Sequence, residues 1–170
     1  PPPFDILYWN NDSTNLPAKL HSDYLDIYKD KRFANPGEVD FMGHKIDLPK
    51  VKQDAFMLAT VTDHITPWRA CYRNVHLFGG DITFVLSNSG HIQALLNPPG
   101  NPKAQFFTNP ALPESADDWL AGAQAQQGSW WPLWTNWLRQ RSGEKKPAPK
   151  ALGSKAYPPT AKAPGEYVFG

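Results

Sequence analysis

Apolar residues are unevenly spaced along the chain, and their spacing changes character several times. Residues 1–50 are polar and loop-rich, with one stretch of helical period. There Leu20, Tyr24, Ile27 and Tyr28 fall at i, i+4, i+7 and i+8, one face of a 3.6-residue repeat. The run from Asn10 to Asn15 reads as a turn, Pro17 suits a first helical turn, and the pattern ends near Asp30. Asn35-Pro36-Gly37 reads as another turn.

The next stretch has a different texture. Ala55–Val61 (AFMLATV) is a short continuous apolar run, as in a strand buried on both faces. After the polar loop Thr62-Asp63-His64, Thr66 is placed as an N-cap with Pro67 at the first helical position. Trp68, Cys71, Tyr72 and Val75 then repeat with helical spacing, and Gly79-Gly80 is placed to stop that helix. Ile82–Leu86 (ITFVL) is a second buried-strand pattern, followed by the loop Ser87-Asn88-Ser89-Gly90-His91. Strand, helix and strand with about 20 connecting residues meet the length a parallel crossover needs. Beyond residue 100, Trp130, Trp134 and Trp137 share a helical face with Leu133 nearby, predicting a closing helix docked on the sheet. Residues 144–170 are rich in Pro, Lys, Ala and Gly and read as an extended surface tail.

Composition narrows the function classes. Seventeen Lys and Arg against sixteen Asp and Glu give a formal charge of +1, which predicts no electrostatic footprint on nucleic acid or anionic membrane. A single Cys in 170 residues excludes an internal disulfide framework and a Cys-based zinc cluster. No apolar run approaches the ~20 residues of a bilayer span, and no leader is expected. His21, His44 and His76 lack partner spacing for a metal site. The 18 prolines, about twice the usual ~5%, predict many loops.

Chemistry concentrates where the two predicted strands end. In open α/β sheets, reacting groups sit beyond the carboxyl ends of strands. Asp63 lies two residues past the first strand and His91 five past the second, with Gly90 leaving room for a sharp loop. Strands ~4.8 Å apart bring such loops within reach of each other. An Asp that accepts from one ring nitrogen fixes the tautomer and frees the other to take a proton. An Asp capping the following helix and a polar surface His are the bland alternatives. His64 has two readings, orienting Asp63 or packing beside it. In α/β-hydrolases the order is nucleophile, acid, histidine, so Asp63 and His91 match the second and third members. No G-x-S-x-G or G-x-C-x-G elbow is present. Cys71 sits within the predicted helix, downstream of Asp63, and reads as a packed thiol and not as a nucleophile.

The stretches Tyr8–Pro17 (YWNNDSTNLP), Asp63–Trp68 (DHITPW) and Phe84–Gln93 (FVLSNSGHIQ) resemble polyhydroxyalkanoate synthases of class I or II. So do Leu96–Lys103, Gly128-Ser129-Trp130-Trp131 and Pro164–Val168, so the similarity runs over nearly the whole chain. The resemblance implies polymerisation of (R)-3-hydroxyacyl-CoA into polyester with release of CoA, without a further cofactor, through a Cys-His-Asp triad. Asp63 matches the family's catalytic Asp in D-H-I-x-P-W, and His91 its catalytic His in S-G-H-I. His91 would deprotonate the Cys, while Asp63 would orient His91 or help activate the chain's 3-hydroxyl during elongation. The family's Cys lies upstream of everything present here.

The resemblance also implies a fold class and a setting. The chain reads as α/β, the carboxyl-terminal part of an α/β-hydrolase fold and incomplete as a fold. Residues 1–40 would be the end of a cap subdomain, 41–143 the last part of the core and 144–170 the tail. Such an enzyme acts in the cytoplasm at the surface of polyester granules, commonly as a homodimer. The strands at 55–61 and 82–86 are expected to have exposed edges and uncovered faces, and this chain alone to be inactive and poorly folded. Two other classes fit the residues: a lipase- or esterase-like hydrolase fragment, and a non-catalytic module that dimerises or docks on granules through its Trp-rich face. The coding sequence upstream separates the three. A G-x-C-x-G elbow in frame is the expected outcome, a Ser elbow would indicate a lipase, and an in-frame start at residue 1 would indicate the module.

Overall fold

A computed structural model of the chain describes residues 5–167. The described residues form two compact units, 5–24 with 144–167 and 25–143.

The second unit contains the sheet. Strands β1 (Val39–Phe41) and β2 (His44–Ile46) form a short antiparallel hairpin. Its turn residues Met42 and Gly43 both have positive φ, 52° and 79°, which suits the right-handed twist of a two-residue hairpin. The main sheet has the order β3 (Ala55–Thr60), β4 (Ile82–Ser87), β5 (Gln105–Thr108) and β6 (Gln124–Gln127). Strands β3 and β4 run parallel, in register from Ala55 opposite Ile82 to Thr60 opposite Ser87. The connection carries α3 (Trp68–Tyr72) and a 3-10 turn at Arg73–His76, so the expected strand–helix–strand crossover is present. Strands β5 and β6, for which the apolar pattern carries no expectation, add antiparallel beyond β4.

Side chains alternate across this sheet and build a core on each face. Ala59, Phe84 and Leu86 pack with Trp68, Tyr72, Val75 and Trp119. On the opposite face Val85 and Phe106 pack with Trp130, joined by Phe56, Leu58 and Leu133. Trp119 lies on α4 (Ala116–Ala121), is fully buried, and meets Phe84 edge-on with ring centroids 4.9 Å apart. The Ser115 hydroxyl caps α4 by accepting from the Asp118 amide. The closing helix α5 (Trp131–Arg141) docks on β3 as its aromatic spacing predicts, with Trp137 5.8 Å from Phe56. Arg141 lies 4.2 Å over the Trp137 ring and pairs with Asp54 at 2.6 Å, tying the end of α5 to the start of β3.

Several local expectations are corrected. Thr66 does not cap α3: Pro67 is the residue before the helix, and its carbonyl accepts from Ala70 and Cys71. Gly79 and Gly80 lie beyond the helix end and allow close backbone approach instead. A Cβ there would sit 2.1 Å from the Pro49 carbonyl oxygen or 2.2 Å from that of Gln53. Strand β4 has no exposed edge, because β5 pairs with it, and both its faces are covered. Among the described residues the outer edge of β3 is unpaired.

In the first unit, α1 (Asp5–Asn11) occupies part of the stretch read as a turn. Residues 144–167 contain no α-helix or strand. The Tyr167 hydroxyl donates to Asp12, and its ring meets Tyr8 edge-on at 5.3 Å. Val168, which closes the last family-like motif, lies outside the described residues. Helix α2 (Ala18–Asp30) has the expected extent, but Leu20, Tyr24 and Tyr28 on its apolar face are exposed.

Trp119→Ala removes a fully buried indole and should destabilise the fold by about 3–5 kcal/mol. Urea unfolding of the two chains measures the difference.

Candidate active site

The parallel pairing of β3 and β4 continues past both strands. The Val61 amide donates to the Ser87 carbonyl at 2.9 Å and the Thr62 amide to that of Ser89 at 3.2 Å. The loops that follow are therefore held side by side, and they bring Asp63 and His91 together. His91 Nδ1 lies 2.6 Å from Asp63 Oδ2. An ionised carboxylate only accepts, so Nδ1 carries the proton, which in a neutral imidazole leaves Nε2 as the acceptor. The His91 side chain is 41% exposed and that of Asp63 5% exposed, which leaves the imidazole accessible over a buried carboxylate.

Asp63 is held by its own loop as well. Oδ1 accepts from the backbone amides of Ile65 and Thr66, both at 2.9 Å. Oδ2 accepts from the Thr66 hydroxyl at 2.7 Å as well as from His91. The Thr66 amide foremost, then His91, the Thr66 hydroxyl and the Ile65 amide, hold the carboxyl well below the ordinary aspartate range, against the opposing effect of burial. The special backbone position in the His91 loop is Ser89, with φ 86°, and not Gly90. A Cβ on Gly90 would meet only Thr62 Oγ1 at 3.8 Å, an ordinary contact.

Aromatic residues far along the chain clamp the turn that follows His91. Trp130 Nε1 donates to the Ala94 carbonyl at 2.8 Å, and Trp131 Nε1 to that of Leu95 at 3.0 Å. The Ser129 hydroxyl donates to the Asn97 carbonyl. Periodicity assigned Trp130, but not Trp131, to the face of the docked helix, and it carried no sign that their N–H groups hold this turn. An open cleft of about 680 Å³ adjoins the same loop, lined in part by Ser89, Ile92, Gln93, Asn97 and Lys103.

The remaining candidates lie apart from this hydrogen-bond set. His64 is exposed and is not among the four groups bonded to Asp63. Cys71 is half-buried against the core, with its thiol 3.6 Å from the Thr66 carbonyl. Burial pushes that thiol's pKa up, and the charge of Asp63 adds to the effect, the reverse of an activated thiolate. His76 Nε2 lies 3.2 Å from the Pro113 carbonyl. Among the described residues no three His, Cys, Asp or Glu side chains are grouped to hold a metal ion. No helix there is long and apolar enough to cross a membrane.

Fold and site together define an α/β protein that presents a hydrogen-bonded Asp–His pair beyond the carboxyl ends of two parallel strands. The chain is similar over 99% of its length to curated proteins that say more. It is 53% identical to poly(3-hydroxyalkanoate) polymerase 2 and 51% identical to poly(3-hydroxyalkanoate) polymerase 1, both of Ectopseudomonas oleovorans. It is 42% identical to the poly(3-hydroxyalkanoate) polymerase subunit PhaC of Cupriavidus necator. These matches make it a homologue of a portion of the poly(3-hydroxyalkanoate) polymerases, the family that its motifs resemble. It spans about 30% of the length of these relatives. No family model matches the chain.

The depressed pKa of Asp63 has a definite sign. Its contribution to stability is complete above the ordinary value of 3.8 and is withdrawn as pH falls toward the lower folded value. Asp63→Asn should therefore make the acid limb of stability shallower, measured by urea unfolding between about pH 2 and pH 6.

Proposed function

We propose that this chain is the carboxyl-terminal portion of a poly(3-hydroxyalkanoate) polymerase on an α/β-hydrolase fold, supplying the Asp and His of a Cys-His-Asp triad. The observation that carries this reading is the 2.6 Å Asp63–His91 pair in a chain that matches named polymerases from end to end. The unpaired outer edge of β3 supports a sheet continued by strands from outside this chain. By itself the chain, lacking the nucleophile, is inactive.

In this mechanism His91 Nε2 takes the proton from the cysteine of the missing portion while Asp63 holds Nδ1. The thiolate attacks the thioester carbonyl of a (R)-3-hydroxyacyl-CoA, a new carbon–sulfur bond forms, and the bond to the CoA sulfur breaks. The CoA thiolate leaves with the proton held by the imidazole. Elongation repeats the exchange with oxygen: a 3-hydroxyl gives its proton to the base of the pair and attacks an acyl thioester, an ester carbon–oxygen bond forms as the carbon–sulfur bond breaks, and the sulfur leaves as a thiol with that proton. The exposed apolar side chains of Ile65 and Ile92, each near a member of the pair in sequence, suit a site that handles acyl chains. The complete enzyme acts in the cytoplasm at the polyester granule surface, as a homodimer.

The test uses the full-length polymerase with (R)-3-hydroxybutyryl-CoA and follows CoA release. His91→Ala should abolish release, and near-normal turnover of that variant would end the assignment. Cys71→Ala should leave release close to the parent level, since its thiol packs against the core.

A further inference from the structure

Among the described residues Thr66 is the one that holds both oxygens of Asp63. Its amide reaches Oδ1 at 2.9 Å and its hydroxyl Oδ2 at 2.7 Å, the oxygen that also faces His91 Nδ1. A carboxylate offers about four lone-pair directions, two on each oxygen. Here the amides of Ile65 and Thr66 take one oxygen, and the Thr66 hydroxyl and His91 take the other. No acceptor position is left directed at a substrate. The two amides alone would hold Oδ1; the hydroxyl is what restrains Oδ2 at the point where it meets the imidazole.

We propose that Thr66 is a positioning residue for the Asp–His pair, and that it keeps Asp63 as a fixed acceptor for His91 and not as a base toward the growing chain. This rests on the acyl-transfer reading above and adds to it. A carboxylate filled by four donors, and held well below the usual aspartate range by the Thr66 amide foremost, is poorly suited to take a proton from an alcohol. Both acyl transfers then depend on His91 Nε2, so disturbing Oδ2 slows both together. The other titratable neighbours do not supply an alternative base at this position. His64 makes no bond to Asp63, and the Cys71 thiol is directed to the Thr66 carbonyl.

The experiment compares Thr66→Val, which keeps the branched shape without the hydroxyl, with Thr66→Ser, which keeps the hydroxyl. Both are made in the full-length polymerase beside His91→Ala. The pre-steady-state burst of CoA reports acylation, the steady-state rate reports elongation, and thermal unfolding reports folding. Thr66→Val should lower burst rate and kcat by a common factor of about ten, with KM within about twofold, as expected when a catalytic group is misplaced while binding is kept. Thr66→Ser should restore both rates to within about threefold of the parent. Parent-like rates in a folded Thr66→Val, failure of Thr66→Ser to rescue, or loss of elongation with an unchanged burst would each overturn the proposal. The His91→Ala arm keeps the two ideas apart. A dead His91→Ala beside an unaffected Thr66→Val removes only the role of Thr66, whereas an active His91→Ala removes the acyl-transfer reading itself.

Discussion

The parallel ladder between Ala55–Thr60 and Ile82–Ser87 is the constraint on which the rest of this structure depends. Parallel neighbours end at the same side of a sheet, whereas antiparallel neighbours end at opposite sides. Only in the parallel case do the loops after two adjacent strands start a few ångströms apart. The bonds from Val61 and Thr62 into the second loop carry this proximity beyond the strands, up to the residue before Asp63. A buried carboxylate and a more exposed imidazole therefore meet without either lying in a regular element.

What keeps the ladder in place is aromatic packing on both faces. Tyr72, Phe84 and Trp119 contact one another edge-on or tilted on one side, and Phe56 meets Trp130 and Trp137 on the other. These rings also carry polar atoms that find partners at the edge of the core. The Tyr72 hydroxyl donates to the Pro113 carbonyl at 2.6 Å, and the indoles of Trp130 and Trp131 hold the turn after His91. A large apolar body with one polar tip can fill a core and anchor a loop at the same time. The tryptophans thus connect sheet stability to site geometry, with α5 joined to the start of β3 through Asp54 and Arg141.

The electrostatics of the site follow from the same economy. Asp63 is buried as a charge and is tolerated because four donors from two short loops surround it. Three of those donors come from the two residues Ile65 and Thr66, so the carboxylate is largely satisfied before His91 approaches. That makes the aspartate a fixed reference for the histidine. The lone thiol nearby has opposite surroundings: its neighbours disfavour the charged form, which suits packing and not attack.

The sequence by itself determined the elements that local pattern can specify. Apolar runs marked β3 and β4, helical spacing marked α2 and the closing helix, and strand ends put Asp63 and His91 in neighbouring loops. Such signals are short-range, since a run or a period is complete within a dozen residues. What only the tertiary structure decided depends on partners distant along the chain. Strands Gln105–Thr108 and Gln124–Gln127 lack apolar alternation across most of their length, and pairing makes them strands, the first with β4 and the second with the first. Gly79 and Gly80 have their meaning only against the backbone of residues 49–53. Thr66, placed by sequence as a cap, lies one residue before Pro67, the residue that precedes α3, and its hydroxyl donates to Asp63. Ser129, Trp130 and Trp131 reach back more than thirty residues to the His91 turn, a contact that no local period could announce.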